Sequence, residues 1–333
     1  MRATVKDVAA RAGVSPKTVS NVINGTSFVR EATRQRVEDA LAELEYVPNL
    51  SARGLRNGRS GVIALALPDL ATPYSGEMAH AFVEAAHQRG WAVQIEETAS
   101  RPEREGELLL RAQANLIDGL ILNPITLADS VVARSRSLPP VVLIGEVEQN
   151  LVDQVRVDPV RSAYEMTEYL LSLGASTIAV VGSPYLLNTA TARFRTVGYR
   201  SALTDAGIAL DPALEISASV WSPRGGAEAV SAFLERNDLP DAFFCFTDSL
   251  AIGTLSTLAA AGIRVPEDVF VAGFDNIAHG EFASPPLTTI DFDKRAFVDA
   301  ALDRLAERIA DRDHAPVLTT IPHRLIRRAS TGA

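Results

Sequence analysis

A segment near the start of the chain, from Ser15 to Asn24, carries side chains that could bind nucleic acid. It reads SPKTVSNVIN. Ser15 is a suitable helix N-cap and Pro16 suits the first helical position, so the segment predicts a short helix. At about 100° per residue, its apolar and polar side chains fall on opposite sides. The apolar side holds Val19, Val22 and Ile23, and the polar side holds Lys17, Ser20, Asn21 and Asn24. The polar set suits phosphates and base edges, although a solvated helix face would have a similar composition.

A helix is predicted on each side of this segment. Thr4 to Asp7 has the pattern of a capping box, which predicts a first helix from Val5 to about Ala12. Gly13 is suited to end that helix in a left-handed conformation. Apolar spacing predicts a third helix from about Glu31 to Glu45. Two helices joined by a glycine turn make the helix-turn-helix pattern, so residues 1–46 are expected to form a three-helix DNA-binding unit.

Charge is distributed unevenly along the chain. The first 59 residues hold ten Lys and Arg against six Asp and Glu, a net charge of +4, whereas the whole chain carries −9. The remaining residues therefore carry −13. A basic first segment joined to an acidic body is typical of one unit that faces nucleic acid and one that does not.

The first segment resembles the head of the lactose-repressor/galactose-repressor (LacI/GalR) family of transcription regulators. The resemblance runs from Thr4 to about Leu55 and rests on five motifs in order: D-V-A-x-x-A-G-V-S, T-V-S-x-V-I-N-G, T-R-x-R-V, A-L-x-E-L-x-Y-x-P-N and S-A-R-x-L. It implies that the second helix enters the major groove of an operator, with Pro16, Lys17 and Asn21 facing the bases. The side chains implied to hold phosphates are Thr4, Ser15, Thr18, Ser20, Asn24 and Thr33, and the DNA-binding set further includes Val5, Tyr46, Asn49, Ala52 and Leu55.

The chemistry of Lys17 and Asn21 makes them the expected determinants of operator sequence. A lysine can donate to guanine O6 and N7, and an asparagine can pair with adenine. Pro16 offers only apolar contact, for example to a thymine methyl group. Phosphate contacts set the register of the protein on DNA and carry no sequence information.

Residues 48–60 contain Pro48, Gly54 and Gly58 and no large apolar stripe, a composition that is typical of a flexible linker. The resemblance implies a hinge that becomes helical on the operator, where Leu55 wedges into a minor-groove step beside its copy from a second subunit. Such a wedge kinks DNA at the cost of unstacking the bases. Because Gly54 opposes helix formation, we expect this hinge to be disordered without DNA.

The rest of the chain alternates short apolar runs with longer helical patterns. The predicted strands are Val62–Leu67, Ala92–Glu96, Gly119–Leu122, Pro140–Ile144, Thr177–Val181, Glu215–Val220, Ala242–Phe246 and Val269–Gly273. The predicted helices lie near residues 75–89, 103–115, 128–137, 160–173, 190–206, 224–236 and 249–261. This alternation predicts parallel sheets with right-handed crossovers, in two similar lobes. The resemblance implies a periplasmic-binding-protein-like core, with crossovers near 158–161, 288–292 and 317–322.

Ligands of parallel sheets bind beyond the carboxyl ends of the strands, and polar residues stand at those positions here. We expect the effector site to include Asp69, Tyr74, Asn123, Arg195, Trp221, Thr247 and Asp275. The resemblance implies that Arg195 contacts the effector, that Asp275 binds ligand hydroxyls, and that Thr247 and Trp221 line the pocket. An arginine, an aspartate and an aromatic plate suit a sugar, and a purine or nucleoside is the alternative because Trp221 could stack on either.

These residues also have structural interpretations. Asp248 could simply cap the helix that follows it, and Arg195 could pair with a surface acid. Trp221 is expected to end a strand and could serve packing alone. Asp69 and Tyr74 could equally belong to the end of the first strand and the turn after it.

Other classes of protein find little support in the sequence. It contains no dinucleotide-binding, P-loop, nucleophile-elbow or zinc-protease motif. Its five histidines are dispersed, and Cys245 lies in an apolar run that is expected to be a core strand. We therefore expect neither an enzyme nor a metal or other cofactor. A solute-binding protein would share the fold of the body, but it would lack the head. It would also carry an export signal, and the sequence shows none, so a cytoplasmic location without membrane contact is expected.

The sequence as a whole predicts a DNA-binding transcriptional regulator, a repressor controlled by a small-molecule effector. No heptad tail follows the last predicted strand, near Val317–Arg327, so a homodimer on a pseudo-palindromic operator is expected. The expected division is a DNA-binding head over 1–47 and a hinge over 48–60, followed by two lobes. The first lobe is expected to take 61–159 and about 291–318, and the second 160–290 and about 319–330.

Overall fold

Three short helices form the head of the protein in the computed structural model, which describes residues 3–25, 28–46, 59–126, 130–135, 138–184 and 189–333. The chain divides into two compact units, Met1–Ser60 and Gly61–Ala333. The helices of the first unit are α1 (Val5–Ala12), α2 (Pro16–Asn24) and α3 (Glu31–Glu43).

Local signals in the head set where its helices begin and end. The Thr4 backbone N–H donates to Asp7 Oδ2 at 2.8 Å and the Asp7 N–H donates to Thr4 Oγ1 at 3.4 Å, which completes the predicted capping box. Ser15 caps α2 by accepting from the Thr18 N–H at 3.1 Å. Gly13 ends α1 with a φ of 64°, a left-handed conformation that glycine adopts without strain.

The head has a small apolar core between its three helices. Val8, Val19 and Val37 are fully buried there, with Ala12 and Ala40 beside them. The apolar side of α2 therefore faces inward, as its periodicity predicted. The third helix ends two residues earlier than expected, at Glu43.

The second unit alternates strands and helices from Gly61 onward. Its first part contains β1 (Val62–Leu67), α4 (Pro73–Gln88), β2 (Ala92–Glu97), α5 (Pro102–Gln113), β3 (Gly119–Leu122), α6 (Val131–Arg134), β4 (Val141–Ile144) and β5 (Asp153–Val157). Its second part contains α7 (Pro159–Ser172), β6 (Ile178–Val181), α8 (Ala190–Asp205), β7 (Glu215–Ile216), α9 (Pro223–Leu234), β8 (Ala242–Cys245), α10 (Asp248–Ala260), β9 (Phe270–Phe274), α11 (Ala278–Glu281) and β10 (Thr288–Phe292). It ends with α12 (Lys294–Ala310), β11 (Leu318–Ile321) and β12 (His323–Ile326).

Two six-stranded sheets organise these elements into two lobes. The first sheet has the order β11-β5-β4-β3-β1-β2 and the second β12-β10-β9-β8-β6-β7. All pairs in the first sheet are parallel, and in the second only the β10–β12 pair is antiparallel. The doubly wound lobes predicted from the strand–helix alternation are therefore present. Cys245 is buried in β8, as expected.

The chain passes from one lobe to the other three times, and the lobe boundaries differ slightly from those predicted. The chain crosses between β5 and α7, between β10 and α12, and between β11 and β12. Asp291 and Phe292 belong to β10 in the second sheet, whereas the prediction gave them to the first lobe. Residues 319–321 pair with β5 in the first sheet, whereas the prediction gave them to the second lobe.

Strand β5 was missed because its sequence, DQVRV, is half polar. Two of its three polar side chains, Asp153 and Gln154, are buried with partners. Asp153 accepts from Arg308 Nε at 2.9 Å and from the Val317 N–H at 2.8 Å. Gln154 donates to the carbonyl oxygens of Gly145 and Val147 at 2.8 and 2.7 Å. Long-range partners thus replace the apolar residues that a central strand normally requires.

Two other predicted elements were too long. The strand expected over Glu215–Val220 contains only Glu215 and Ile216, and the chain bends at Ser219 and Val220 before the next helix begins at Pro223. The helix expected near 128–137 is observed at Val131–Arg134, and residues 127–129 and 136–137 lie outside the described residues.

Within the described residues, the chain has no helix that is both long and apolar enough to cross a bilayer. A search of the same residues finds no group of three or more His, Cys, Asp or Glu side chains arranged to hold a metal ion.

Candidate functional site

The outer side of α2 carries the side chains that the sequence predicted to face DNA. Pro16 and Lys17 are exposed, and Ser20 and Asn21 are half-buried. The apolar residues of the same helix are turned into the head core, so its polar side is available to a groove. Whether these side chains contact bases remains a prediction.

Several of the predicted phosphate ligands also have roles within the head. The hydroxyl of Thr4 donates to Asp7 Oδ2 at 2.7 Å, and the hydroxyls of Ser15 and Thr18 lie 2.9 Å apart. Val5 and Tyr46 pack, partly buried, against the head core. The remaining members of the predicted DNA-binding set take the following places: Thr33 lies half-buried in the first turn of α3, while Asn49, Ala52, Leu55 and the side chain of Asn24 lie outside the described residues.

A cavity of about 450 Å³ lies between the two lobes of the second unit. All seven residues predicted for the effector site line it: Asp69, Tyr74, Asn123, Arg195, Trp221, Thr247 and Asp275. They converge because the carboxyl ends of strands in both sheets open onto the same cleft. The first lobe contributes Asp69, Tyr74 and Asn123, and the second lobe contributes the other four.

Arg195, on α8, spans the cleft. Its Nη2 donates to Glu146 Oε1 at 2.6 Å, and its Nη1 donates to the carbonyl oxygen of Phe246. The guanidinium carbon lies 3.3 Å from the centroid of the Phe274 ring, a cation–π contact. The side chains of Arg195 and Glu146 are 5% and 7% exposed, so the pair is buried and is not the surface ion pair considered as an alternative.

Glu146 is the main residue that the sequence reasoning missed. It follows β4 by two positions, and an acid just past the end of a parallel strand is the signal that identified Asp69 and Asp275. Glu146 is the first-lobe partner of Arg195, so it links the two walls of the cavity.

Three buried polar atoms at the cavity have no hydrogen-bond partner among the described residues: Glu146 Oε2, Arg195 Nε and Trp221 Nε1. One is an acceptor and two are donors. An unpaired buried polar atom costs free energy, so native proteins retain few of them without a reason. A ligand that carries both donors and acceptors would satisfy all three.

Asp275 lies at the bottom of the cavity in an unusual backbone conformation. Its φ is 112°, and that of the next residue, Asn276, is 45°; both are positive values that non-glycine residues rarely adopt. Burial raises the pKa of Asp275 well above its usual range, and the nearby Arg195 opposes that rise. Burial also raises the pKa of Tyr74, with Asp275 and Glu146 adding to the effect.

Side chains from both lobes hold the turn after Asp275. Arg328 Nη2 donates to Asn276 Oδ1 at 2.8 Å, and Lys294 Nζ donates to the Asn276 carbonyl oxygen at 2.9 Å. Glu77, on α4 of the first lobe, accepts from Lys294 and from the Ala278 N–H, the latter at 2.7 Å. The position of Asp275 is therefore coupled to the helix that also carries Tyr74.

Asp248 does not cap α10, which corrects the structural interpretation of this residue. Thr247 is the N-cap, because its hydroxyl accepts from the Leu250 N–H at 3.3 Å. Asp248 is instead fully buried and accepts from Thr289 Oγ1 at 2.6 Å and from the Ile277 N–H at 2.9 Å. Burial raises its pKa to about 7, although these two hydrogen bonds favour the charged form.

Two other cavity residues differ from expectation in detail. Trp221 does not end a strand; it lies in the loop between β7 and α9, half-buried at the cavity wall. Asn123 follows β3 as expected, and a Cβ atom at Gly145 would lie 2.6 Å from its Oδ1. Gly145 therefore leaves room for the Asn123 amide at the edge of the cavity.

Two family descriptions match the chain. Residues 4–49 match "Bacterial regulatory proteins, lacI family", and residues 167–331 match "Periplasmic binding protein-like domain". The first match covers the helix-turn-helix head, and the second covers most of the second lobe and the end of the chain.

Curated relatives and solved structures agree with these matches. The chain is 36% identical over 296 residues to the HTH-type transcriptional regulator DegA of Bacillus subtilis (87% of this chain, 86% of the relative). It is 32% identical over 332 residues to the HTH-type transcriptional repressor PurR of Histophilus somni (98% of each chain). Its fold is similar to that of a lac repressor dimer bound to operator and the anti-inducer ONPF, with a TM-score of 0.87, 28% identity and coverage of 100% of both chains.

Proposed function

Because the chain belongs to the lacI family of bacterial regulatory proteins, a family of DNA-binding transcriptional regulators, we propose that it represses its target genes as an effector-controlled homodimer. In this proposal two heads bind an inverted-repeat operator in the cytoplasm, and a small molecule in the interlobe cavity controls how tightly they bind.

The observation that carries this proposal is the presence in one chain of two distinct sites. One is the capped helix-turn-helix with the exposed Lys17 on its second helix. The other is the cavity between the lobes, with three buried polar atoms that lack a partner in the part of the chain that the structure describes. A coupling free energy between two such sites is what allosteric control of DNA binding requires.

Dimeric operator binding is supported by the similarity to the lac repressor dimer bound to operator. A two-fold symmetric dimer imposes two-fold symmetry on its DNA site, so the operator is expected to be a pseudo-palindrome. Within each half-site, Lys17 and Asn21 are the proposed readers of sequence and the hydroxyls near the helix N-termini are the proposed phosphate contacts.

A sugar or sugar derivative is the effector that the cavity chemistry favours. One hydroxyl group can donate to Glu146 Oε2 and accept from Arg195 Nε, and a second can accept from Trp221 Nε1. The face of the Trp221 ring can pack on the apolar face of a pyranose. A purine or nucleoside is the second candidate, because it could stack on Trp221 and because the chain resembles PurR over nearly its whole length.

The proposal is tested by selecting DNA and then adding candidate effectors. Purified protein is incubated with a random duplex library at moderate ionic strength, and bound sequences are enriched and read. We expect an inverted repeat, and we expect at least one compound from a panel of sugars, purines and nucleosides to change its affinity. A matched duplex with one half-site scrambled is the control. Binding without preference for any inverted repeat would disprove the proposal.

The direction of control follows from the same experiment. An effector that lowers operator affinity is an inducer, and one that raises it is a corepressor. In both cases linkage requires operator DNA to change effector affinity by the same factor, which can be measured separately by titrating the effector in the presence and absence of operator.

A further inference from the structure

The charges around the cavity restrict the net charge of its ligand. Among the described residues that line the cavity, Arg195 is the one cation, against four carboxylates: Asp69, Glu97, Glu146 and Asp275. Asp69 and Glu97 lie towards the solvent, where water screens them. The buried groups that face a ligand are therefore Arg195, Glu146 and Asp275.

The positive charge of Arg195 is already compensated within the protein. Glu146 accepts from its Nη2 at 2.6 Å, the Phe246 carbonyl oxygen accepts from its Nη1, and Phe274 covers one face of the guanidinium. Asp275 follows Phe274 directly and is attracted to the same guanidinium. Of the three nitrogen atoms, Nε is the one with no hydrogen-bond partner among the described residues, so Arg195 meets a ligand as a hydrogen-bond donor and not as an uncompensated positive charge.

An anionic group placed at this point would meet the buried carboxylate of Glu146 and no free cation among the described residues. Charge repulsion is much stronger in a buried site than in water, so neither solvent nor salt would relieve it. An arginine that binds phosphate normally does so with its charge available, often through two parallel hydrogen bonds. Here each Nη atom already donates one hydrogen bond, to Glu146 or to the Phe246 carbonyl oxygen, and Glu146 compensates the charge that an anion would need.

We propose that Glu146 acts as a charge filter on Arg195, so that the cavity accepts uncharged ligands and excludes anionic ones. A sugar or a nucleoside therefore passes, whereas a sugar phosphate, a nucleotide or a carboxylic acid does not. The inference rests on the proposed function in treating the cavity as the effector site. It makes Glu146, which sequence reasoning did not find, a determinant of ligand class.

The test removes the charge of Glu146 without changing its shape. Inorganic phosphate and glucose 6-phosphate are titrated by calorimetry into the wild type and Glu146→Gln, without DNA. The glutamine Oε1 still accepts from Arg195 Nη2, but the guanidinium now carries an uncompensated charge. We expect no anion binding to the wild type at millimolar concentration, and binding to Glu146→Gln that is at least about tenfold tighter.

Two further variants identify where the anion binds. Glu84→Gln makes the same charge change at an exposed position on α4 outside the cavity lining, and it should behave like the wild type. Glu146→Gln combined with Arg195→Gln should lose the anion binding gained by the single variant. This pattern separates the cavity from phosphate binding by the basic head.

Three results would overturn the charge filter. They are Arg195-dependent binding of either anion by the wild type, a folded Glu146→Gln that binds phosphate no better than the wild type, and equal gains in Glu84→Gln. Thermal unfolding shows whether Glu146→Gln folds. If it does not, Glu146→Met, which is uncharged and similar in length, replaces it with the same expected gain. Because no DNA is present, these results are independent of whether the operator proposal holds.

Discussion

At the scale of single residues, the second unit uses buried charge in two ways. The charges of Arg195 and Glu146 compensate each other, and each side chain leaves one polar atom facing the cavity. Asp248 has no cation within hydrogen-bonding distance and is stabilised by a hydroxyl and a backbone N–H. The first arrangement suits ligand binding, and the second makes stability sensitive to pH. In the head, Lys17 is exposed, so burial does not constrain its charge. We expect it to contribute free energy only when the head binds DNA.

Lys17→Ala should reduce discrimination between operator and other DNA. If Lys17 donates to a guanine, the variant loses about 1–3 kcal/mol on the preferred operator and little on an operator with that base changed. The measurement is a fluorescence-anisotropy titration of both duplexes at fixed salt. Equal losses on both, and on random DNA, would make Lys17 a phosphate contact.

Asp248→Asn should remove a pH dependence of stability. The raised pKa of about 7 means that the folded protein keeps this proton while the unfolded chain, with an ordinary Asp pKa near 3.8, has lost it. The stabilisation is thus complete below pH ~4 and is lost as the pH rises to ~7. Between pH ~5 and pH ~8 the unfolding free energy of the wild type should fall relative to that of the variant.

Asp268→Asn provides the matched control for this measurement. The hydrogen bonds of Asp268 with Arg264 lower its pKa to about 2, so its stabilising effect is lost only below the usual Asp pKa. Chemical denaturation at several pH values should show no relative change for Asp268→Asn between pH ~5 and pH ~8. A wild-type curve parallel to that of Asp248→Asn would show that Asp248 is ionised throughout this range.

At the scale of elements, close helix packing positions the cavity side chains. Gly198 lies on α8, one turn after Arg195, and a Cβ atom there would lie 2.2 Å from the Val160 carbonyl oxygen and 2.9 Å from Ala163 Cβ. The contact between α7 and α8 therefore depends on the missing side chain. Gly76 lies on α4 in the other lobe, and a Cβ atom added there would have no heavy atom within 4 Å.

Gly198→Ala should destabilise the protein and weaken effector binding together. Overpacking of this kind costs about 1–3 kcal/mol, and the shift of α8 that relieves it moves Arg195. Gly76→Ala is the control, because alanine is the better helix former and should be neutral or stabilising by up to ~1 kcal/mol. Thermal unfolding of the two variants tests this, and equal melting temperatures would show that α7 and α8 separate without cost.

At the scale of the whole molecule, function requires two units with opposite charge. The first 59 residues carry +4 and the rest −13, so attraction to DNA is confined to the head and the body is repelled by it. In the body, three chain crossings join the lobes, and Glu146–Arg195 and the hydrogen bond from the Ala278 N–H to Glu77 link them across the cleft. We expect ligand binding in the cavity to act on these contacts.

Operator binding should require two chains. Each chain has a mass of 35.6 kDa, and sedimentation of the protein alone and with operator should give complexes of two chains per duplex. A duplex with only one half-site should bind at least about tenfold more weakly, because the second head loses its contacts. A single chain bound to the full operator with the same affinity as to the half-site would contradict the dimer.

The sequence by itself determined the elements whose signals are local. The capping box at Thr4, the Ser15–Pro16 helix start and the glycine at position 13 each act within a few residues, so the head could be predicted almost completely. Alternating strands and helices predicted the two sheets, and the rule for strand ends together with the family resemblance selected seven residues that line one cavity.

Only the tertiary structure decided the features that depend on distant partners. Glu146 and Arg195 are 49 positions apart, and the buried polar strand β5 relies on Arg308, which is 155 positions from Asp153. From the sequence alone, a polar residue is predicted to be exposed unless its partner is known. The chain crossings bring the partners together, and no local sequence pattern encodes those crossings. For the same reason the sequence predicted which residues line the cavity but not how their charges are compensated within it.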